Sequence, residues 1–154
     1  VQDDDTTRCC FDIACRYLSY RPRSEWEVCH KLQERGFNDR TVAQVINRLK
    51  DLKLIDDYAF ACLWRDNRLS LKPKSRRMIG QELRDKKVSP EIIDEVTSEV
   101  DDARYAYKLG CKKLPFLIHL DQLDFRRRLS RYLRYRGFDY GVIDGVVARL
   151  WEEK

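Results

Sequence analysis

Along this chain apolar residues recur at intervals of three and four, the spacing that gathers them on one face of an α-helix. Val28 and Leu32, Ile79 and Leu83, and Leu129 and Leu133 form such pairs. They sit at matched places in three segments that begin at Ser24, Ser75 and Phe125 and align without gaps at offsets of 51 and 50 residues. Between the members of each pair stand Cys29, Gly80 and Ser130, all small, where another helix could approach closely. Each pair is followed by a break. Gly36 and Gly137 are equivalent and suit the left-handed residue that ends a helix, with Lys87 at that place in the middle copy. Phe37, Val88 and Phe138 come next, then Asn38, Ser89 and Asp139, three different residues that are all good N-caps. Beyond the caps the apolar face resumes as Val42, Val45 and Leu49; Ile93, Val96 and Val100; and Ile143, Val146 and Leu150. Each segment therefore reads as a helix, a tight turn and a helix.

A further helix precedes each pair. The first is expected over about Thr7–Ser19, with Phe11, Ala14, Cys15 and Leu18 at helical spacing. The second is expected over about Asp57–Leu69, with Phe60, Leu63, Trp64 and Asn67 on one side, and the third over about Asp102–Lys113, using Tyr105, Ala106 and Leu109. Leu114–Leu120, which contains Pro115, reads as a connector. Ser24-x-x-Glu27 reads as a capping box. The fold class is all-α: a tail over 1–8, then three tandem three-helix repeats over 9–54, 55–101 and 102–154. One such unit has little core of its own, so neighbours are expected to stack into an elongated, curved body.

Composition agrees. Six glycines and four prolines in 154 residues are too few to punctuate a many-stranded sandwich or barrel. No apolar run approaches the ~20 residues of a membrane span. The net charge of +5 is placed unevenly. Residues 1–23 are neutral, 24–55 carry +1, 56–103 carry −2 and 104–154 carry +6. A basic end on an otherwise balanced chain points to a polyanionic partner.

The basic positions also repeat. Arg126, Arg127, Arg128, Arg131, Arg134 and Arg136 are six arginines in eleven residues, interleaved with Tyr132 and Tyr135. Arg127, Arg131 and Arg134 make one helical stripe away from the Leu129–Leu133 face. In the middle copy Arg76, Arg77 and Arg84 occupy the places of Arg126, Arg127 and Arg134, with Lys72 and Lys74 just upstream. The first copy has Glu25, Trp26 and Gln33 there. The candidate binding residues are thus Lys72, Lys74, Arg76, Arg77, Arg84, Arg127, Arg131 and Arg134. If repeats stack, equivalent helices lie side by side and the two patches merge into one track. Arginine forks match phosphates and tyrosines can stack on unpaired bases. The bland alternative pairs these arginines with Asp121, Asp124 and Asp139 and packs the tyrosines in the core.

Catalytic chemistry finds little support. There is no Gly-rich phosphate loop, HExxH or GxSxG pattern, and His30 and His119 are the only histidines. Asp56-Asp57 before an apolar run reads as a helix start with one Asp as N-cap. Cys9, Cys10, Cys15, Cys29, Cys62 and Cys111 contain no CxxC pair and read as reduced, mostly buried thiols of a cytoplasmic protein. The expectation is a non-catalytic monomer with no cofactor, no metal and no membrane contact.

Three strings together resemble the RecX family of recombination regulators. They are Leu18-Ser-Tyr-Arg21-Pro-Arg23-Ser24-Glu25, Leu54-Ile55-Asp56-Asp57-Tyr58-Ala59-Phe60-Ala61 and Ile79-Gly-Gln-Glu82-Leu83-Arg84-Asp-Lys86. The likeness runs from about Cys9 to the end. Lys53, Pro73 and Lys87 depart from it where the family often has Gly. The resemblance implies a three-repeat, all-helical modulator that binds the RecA filament on single-stranded DNA. Such a protein mainly inhibits RecA, blocking filament extension, ATPase and strand exchange. It also implies that Arg23, Asp57 and Phe60 define the fold rather than any chemistry. Two other readings stand beside it. One is a helix-turn-helix DNA binder built on the last two helices of a unit, which the apolar Val42–Leu49 and Ile143–Leu150 and the acidic Ser89–Val100 oppose. The other is an interaction protein whose basic face meets an acidic protein surface.

Overall fold

The helical spacing is realised in each of the three repeats. The computed structural model describes residues 2–154, and its elements are α1 (Gln2–Tyr20), α2 (Glu25–Glu34), α3 (Asp39–Asp51), α4 (Asp57–Ser70), α5 (Arg76–Asp85), α6 (Pro90–Thr97), α7 (Asp102–Leu117), α8 (Gln122–Tyr135) and α9 (Tyr140–Glu153). No strand occurs among the described residues. The expected caps are made. Asn38 Oδ1 accepts the Thr41 N–H at 2.8 Å, Ser89 Oγ that of Ile92 at 3.5 Å and Asp139 Oδ1 that of Val142 at 3.0 Å. Each satisfies a helix N–H that has no intrahelical partner, worth about 1 kcal/mol. Ser24 and Glu27 form the capping box. The turns before these caps need a left-handed residue, and Gly36 and Gly137 supply it at φ of 89° and 94°. Lys87 adopts the same conformation at φ 60°, and Lys53 does so at 58°.

The chain forms two compact units: the part up to Leu63 with Leu83–Ile93, and Trp64–Glu82 with Asp94–Lys154. In the first, α1, α2 and α3 pack on one another around Val28, Leu32, Val42, Val45 and Leu49. In the second, α7, α8 and α9 enclose Leu109, Phe125, Leu129, Leu133, Ile143 and Leu150. Fully burying one such side chain is worth about 1.5–3 kcal/mol. All six residues of the apolar pairs, Val28 and Leu32, Ile79 and Leu83, Leu129 and Leu133, are completely buried. Gly110 lets α7 approach α9, since a Cβ there would collide with Leu150.

One backbone device occurs twice. Asp57, the first residue of α4, accepts the N–H of Glu25, the first residue of α2, at 2.8 Å. Asp102, the first residue of α7, likewise accepts the N–H of Arg76, the first residue of α5, at 2.8 Å. A carboxylate from one helix start thus satisfies the open N-terminus of an earlier helix. Burial raises the pKa of both carboxyls above the ordinary aspartate value, partly offset by the N–H each accepts. Asp56 Oδ1 takes the Ala59 N–H at 3.1 Å and caps α4, so both members of the Asp pair are structural.

The helices differ from expectation in five places. α1 starts at Gln2 rather than about Thr7, because Asp3, Asp4 and Asp5 lie in its first turn and favour a helix N-terminus. α4 buries Phe60 and Ala61, whereas Leu63 is 48% exposed and Asn67 is exposed. α6 stops at Thr97, leaving Val100 half-buried beyond it. α7 continues through Pro115 to the buried Leu117, so half of the expected connector is helix. α8 begins one turn before its counterparts, capped by Asp121, whose Oδ1 accepts the Asp124 N–H at 2.8 Å. The thiols are all free, but only Cys10 is buried, its pKa pushed up to about 11 by burial and by Cys9. Cys9 and Cys111 are exposed.

Candidate polyanion-binding site

In α8 the inward face is Phe125, Leu129 and Leu133, which turns the intervening arginines outward. In α9 it is Ile143, Val146, Val147 and Leu150. An open groove of about 500 Å³ runs between the two helices, lined by Leu123, Arg126, Arg127, Arg131, Arg134 and Tyr140 among others. The expected stripe Arg127, Arg131 and Arg134 is thus brought together, with Arg126 added to it.

These guanidiniums are scarcely neutralised. Arg127 meets Asp124 at 4.0 Å, with both side chains at least half exposed. Pairs of that kind are worth about 0–1 kcal/mol. Arg134 lies over the Tyr140 ring, 4.8 Å from its centroid. Among the described residues Arg126, Arg128 and Arg131 are exposed and have no ion pair or hydrogen bond. Asp144 is the other acid at the groove. The bland alternative is therefore met by the loose Asp124 contact and by Tyr132, which packs half-buried against the core, whereas Tyr135 is exposed and Asp121 and Asp139 serve as N-caps.

The middle-copy cations behave differently. Lys74 Nζ bonds Glu82 Oε1 at 2.5 Å, and Arg68 and Trp64 donate to Glu82 Oε2 at 2.6 and 2.7 Å. Burial pushes the Glu82 pKa up, but these three donors outweigh it and hold the carboxyl below the usual range. Lys74 is thus committed to an internal cluster. Arg76 and Arg77 are exposed, yet Arg76 Nε reaches Thr97 Oγ1 at 3.4 Å and Arg77 Nη2 reaches the Gly137 carbonyl at 3.4 Å. Arg84 is exposed and belongs to the first unit. Lys72 lines a separate groove of about 520 Å³ with Lys112, Lys113, Phe116, Tyr132 and Tyr135. That second groove went unread in the sequence, although Leu109, Lys112, Lys113 and Phe116 have the spacing of one helix face.

A counterpart of the arginine groove exists in the first unit. It holds about 330 Å³ between α2 and α3 and is lined by Glu25, Cys29, Gln33, Asp39, Val42 and Ala43 among others. Each of these six stands 101 residues before a residue of the arginine groove: Arg126, Ser130, Arg134, Tyr140, Ile143 and Asp144. The shape recurs while the charge does not.

Nearby, Glu27 is 6% exposed and receives Arg21 at 2.5 Å, the Ser24 N–H at 3.2 Å and Lys86 at 3.4 Å. Burial opposes its ionisation, but these donors prevail and its pKa lies below normal. Among the described residues no group of three or more His, Cys, Asp or Glu side chains could hold a metal ion, and no helix is long and apolar enough to cross a membrane.

Comparison with known proteins agrees with this architecture. Family models for the first, second and third three-helix domains of RecX match residues 10–49, 56–96 and 100–147. The regulatory protein RecX of Prosthecochloris aestuarii is 38% identical over 91% of this chain and 92% of its own length. That of Chlorobium phaeobacteroides is 36% identical over 84% of this chain and 85% of its own. The crystal structure of RecX from Lactobacillus salivarius superposes with a TM-score of 0.83 at 24% identity, over 96% of this chain and 97% of that one. With all three repeats matched in order, the chain belongs to the RecX family of regulatory proteins.

Proposed function

We propose that this protein regulates RecA, mainly as an inhibitor, by binding the RecA filament on single-stranded DNA through the arginine groove between α8 and α9. The observation that carries this reading is the density of guanidinium groups there: four arginines share the groove and, among the described residues, the one ion pair they make is the loose contact with Asp124. Arginine presents rigid donor forks that suit phosphate and carboxylate alike, which is the chemistry of a nucleoprotein filament surface. Arg127, Arg131 and Arg134, with Arg126, make the primary contact. Arg76, Arg77 and Lys72 are further exposed cations of the same unit and Arg84 is an exposed cation of the other, whereas Lys74 holds Glu82 in place.

Filling the filament surface at this groove blocks extension, and with it ATPase and strand exchange. Nucleotide hydrolysis stays with RecA, so the protein works in the cytoplasm as a monomeric, cofactor-free ligand rather than as a catalyst. The helix-turn-helix alternative is weakened because α9, its reading helix, carries Arg149 as its one basic residue.

The test is RecA's DNA-dependent ATPase with this protein added below stoichiometry. Suppression of hydrolysis, relieved in the variant Arg127→Glu, Arg131→Glu, Arg134→Glu with its helical circular dichroism unchanged, is the expected result. No effect on RecA even at stoichiometric excess refutes the proposal.

A further inference from the structure

The arginine groove leaves unused the second groove of the same unit, between α7, α8 and the segment that follows α4. Its lining combines large exposed apolar groups with cations. Leu71 and Tyr135 are each 77% exposed and Phe116 is 70% exposed. Exposed aromatic and aliphatic groups gathered in one concavity, rather than scattered, mark a contact surface.

The segment is held in place by cations that grip its backbone. Lys112 Nζ donates to the Leu71 carbonyl at 3.0 Å, and the Arg136 guanidinium donates to the Pro73 carbonyl at 3.2 Å and to that of Lys72. The Ser75 N–H bonds the Arg136 carbonyl at 3.0 Å. With Lys112 and Arg136 occupied in this way, the exposed Lys72 and the half-buried Lys113, which stands 6.0 Å from the Phe116 ring centroid, are the groove's cations that make no ion pair or side-chain hydrogen bond among the described residues. Lys113 Nζ stands 4.6 Å from the Tyr132 ring centroid. Among the described residues no acidic one lines this groove.

We infer that this groove takes unpaired nucleic-acid bases, stacking them on Tyr135 and Phe116 while Lys72 and Lys113 meet the adjoining phosphates. The inference rests on the nucleic-acid reading above and deepens it: one groove grips the backbone, the other reads that the strand is single. Charge complementarity names the occupant, since cations at the margin suit phosphates and ring faces in the concavity suit any base. A duplex offers no free base faces to such a platform. Stacking of this sort is sequence-tolerant, so no base preference is expected.

Fluorescence anisotropy with two labelled strands of equal length, oligo-dT and an abasic deoxyribose-phosphate strand, separates the two grooves. The wild type is expected to bind oligo-dT at least tenfold more tightly than the abasic strand. Phe116→Ala with Tyr135→Ala should abolish that difference and leave the salt dependence of abasic binding intact. Tyr135→Trp should keep the difference. Arg127→Glu with Arg131→Glu and Arg134→Glu should flatten the salt dependence for both strands and keep the difference. Equal affinity of the wild type for both strands overturns the inference while sparing the nucleic-acid reading. A preference for oligo-dT that survives in the double alanine variant also overturns it, as does equal competition by polyglutamate of matched charge. Absence of salt-dependent binding to either strand overturns both.

Discussion

The grooves of the first and third repeats are one piece of architecture with two surfaces. Six positions line both at a constant offset of 101 residues, and the apolar floor is alike, Val42 in one and Ile143 in the other. The rim is not. Glu25 and Gln33 stand where the third repeat has Arg126 and Arg134. Trp26 and His30 hold the places of Arg127 and Arg131, and their rings stack at 5.1 Å. Glu25 is moreover paired with Lys50 at 3.2 Å, whereas the third-repeat arginines have little to pair with. Helix packing therefore dictates where a groove lies, and residues that contribute nothing to that packing decide what it binds.

Exchanging the rims is the sharpest way to break this comparison. Arg126→Glu with Arg134→Gln and Tyr140→Asp gives the third groove three of the rim residues of the first and leaves Arg127 and Arg131 in place. Its affinity for single-stranded DNA at low salt should fall by about 30- to 100-fold. The slope of log affinity against log salt should flatten from about −3 by about 1.4, two phosphate contacts being lost. Isothermal titration at several salt concentrations measures both.

A smaller effect is expected where the two units rely on a buried carboxylate, Glu27, and a half-buried one, Glu82. Glu27→Gln and Glu82→Gln should each cost about 1–3 kcal/mol at pH 7 in urea unfolding, since each removes a charge that three donors surround. Both carboxyls have folded pKa values below the ordinary glutamate value. Their contribution is full above that ordinary value and disappears as pH falls through the depressed one, so either variant should lose less stability than the wild type on acidification. Asp57 and Asp102 work in the opposite sense. Their folded pKa values are raised, so their contribution is full below the ordinary aspartate value and fades as pH rises through the folded one.

The reciprocal graft, Glu25→Arg with Gln33→Arg, sharpens the comparison from the other side. It should raise affinity for single-stranded DNA about three- to fivefold and steepen the salt slope by about 1.4. A mutant that folds normally yet gains nothing would show that rim charge alone does not make a binding groove. The smallest effect is expected at the turns. Lys87→Gly should stabilise by about 0.5–1 kcal/mol by relieving a left-handed lysine, while Gly36→Ala should destabilise by a similar amount. Thermal unfolding of the two variants resolves the opposite signs.

Repeats, caps and the apolar pairs were legible in the amino-acid pattern because each rests on local chemistry. A serine, asparagine or aspartate before a helix satisfies the same N–H wherever it occurs, and Asn38, Ser89 and Asp139 do so. The arginine stripe was legible for a related reason, since α8 must turn its leucines inward. The pairing of Lys74 with Glu82 was not legible, because Glu82 lies eight residues on in the next helix and no local rule couples the two. The α7–α8 groove was hidden by Pro115. Ending α7 before that proline removed Phe116 from the helix and broke the spacing that unites it with Leu109, Lys112 and Lys113. Proline in the last turn forfeits one hydrogen bond, and the burial of Leu117 offsets it.

Co-sedimentation with RecA–single-stranded DNA filaments tests the arginine groove most directly. The wild type should pellet with the filaments at physiological salt, and the variant carrying the first-repeat rim at Arg126, Arg134 and Tyr140 should remain in the supernatant while keeping its helical circular dichroism. Equal pelleting of the two proteins would contradict the assignment of filament binding to that groove.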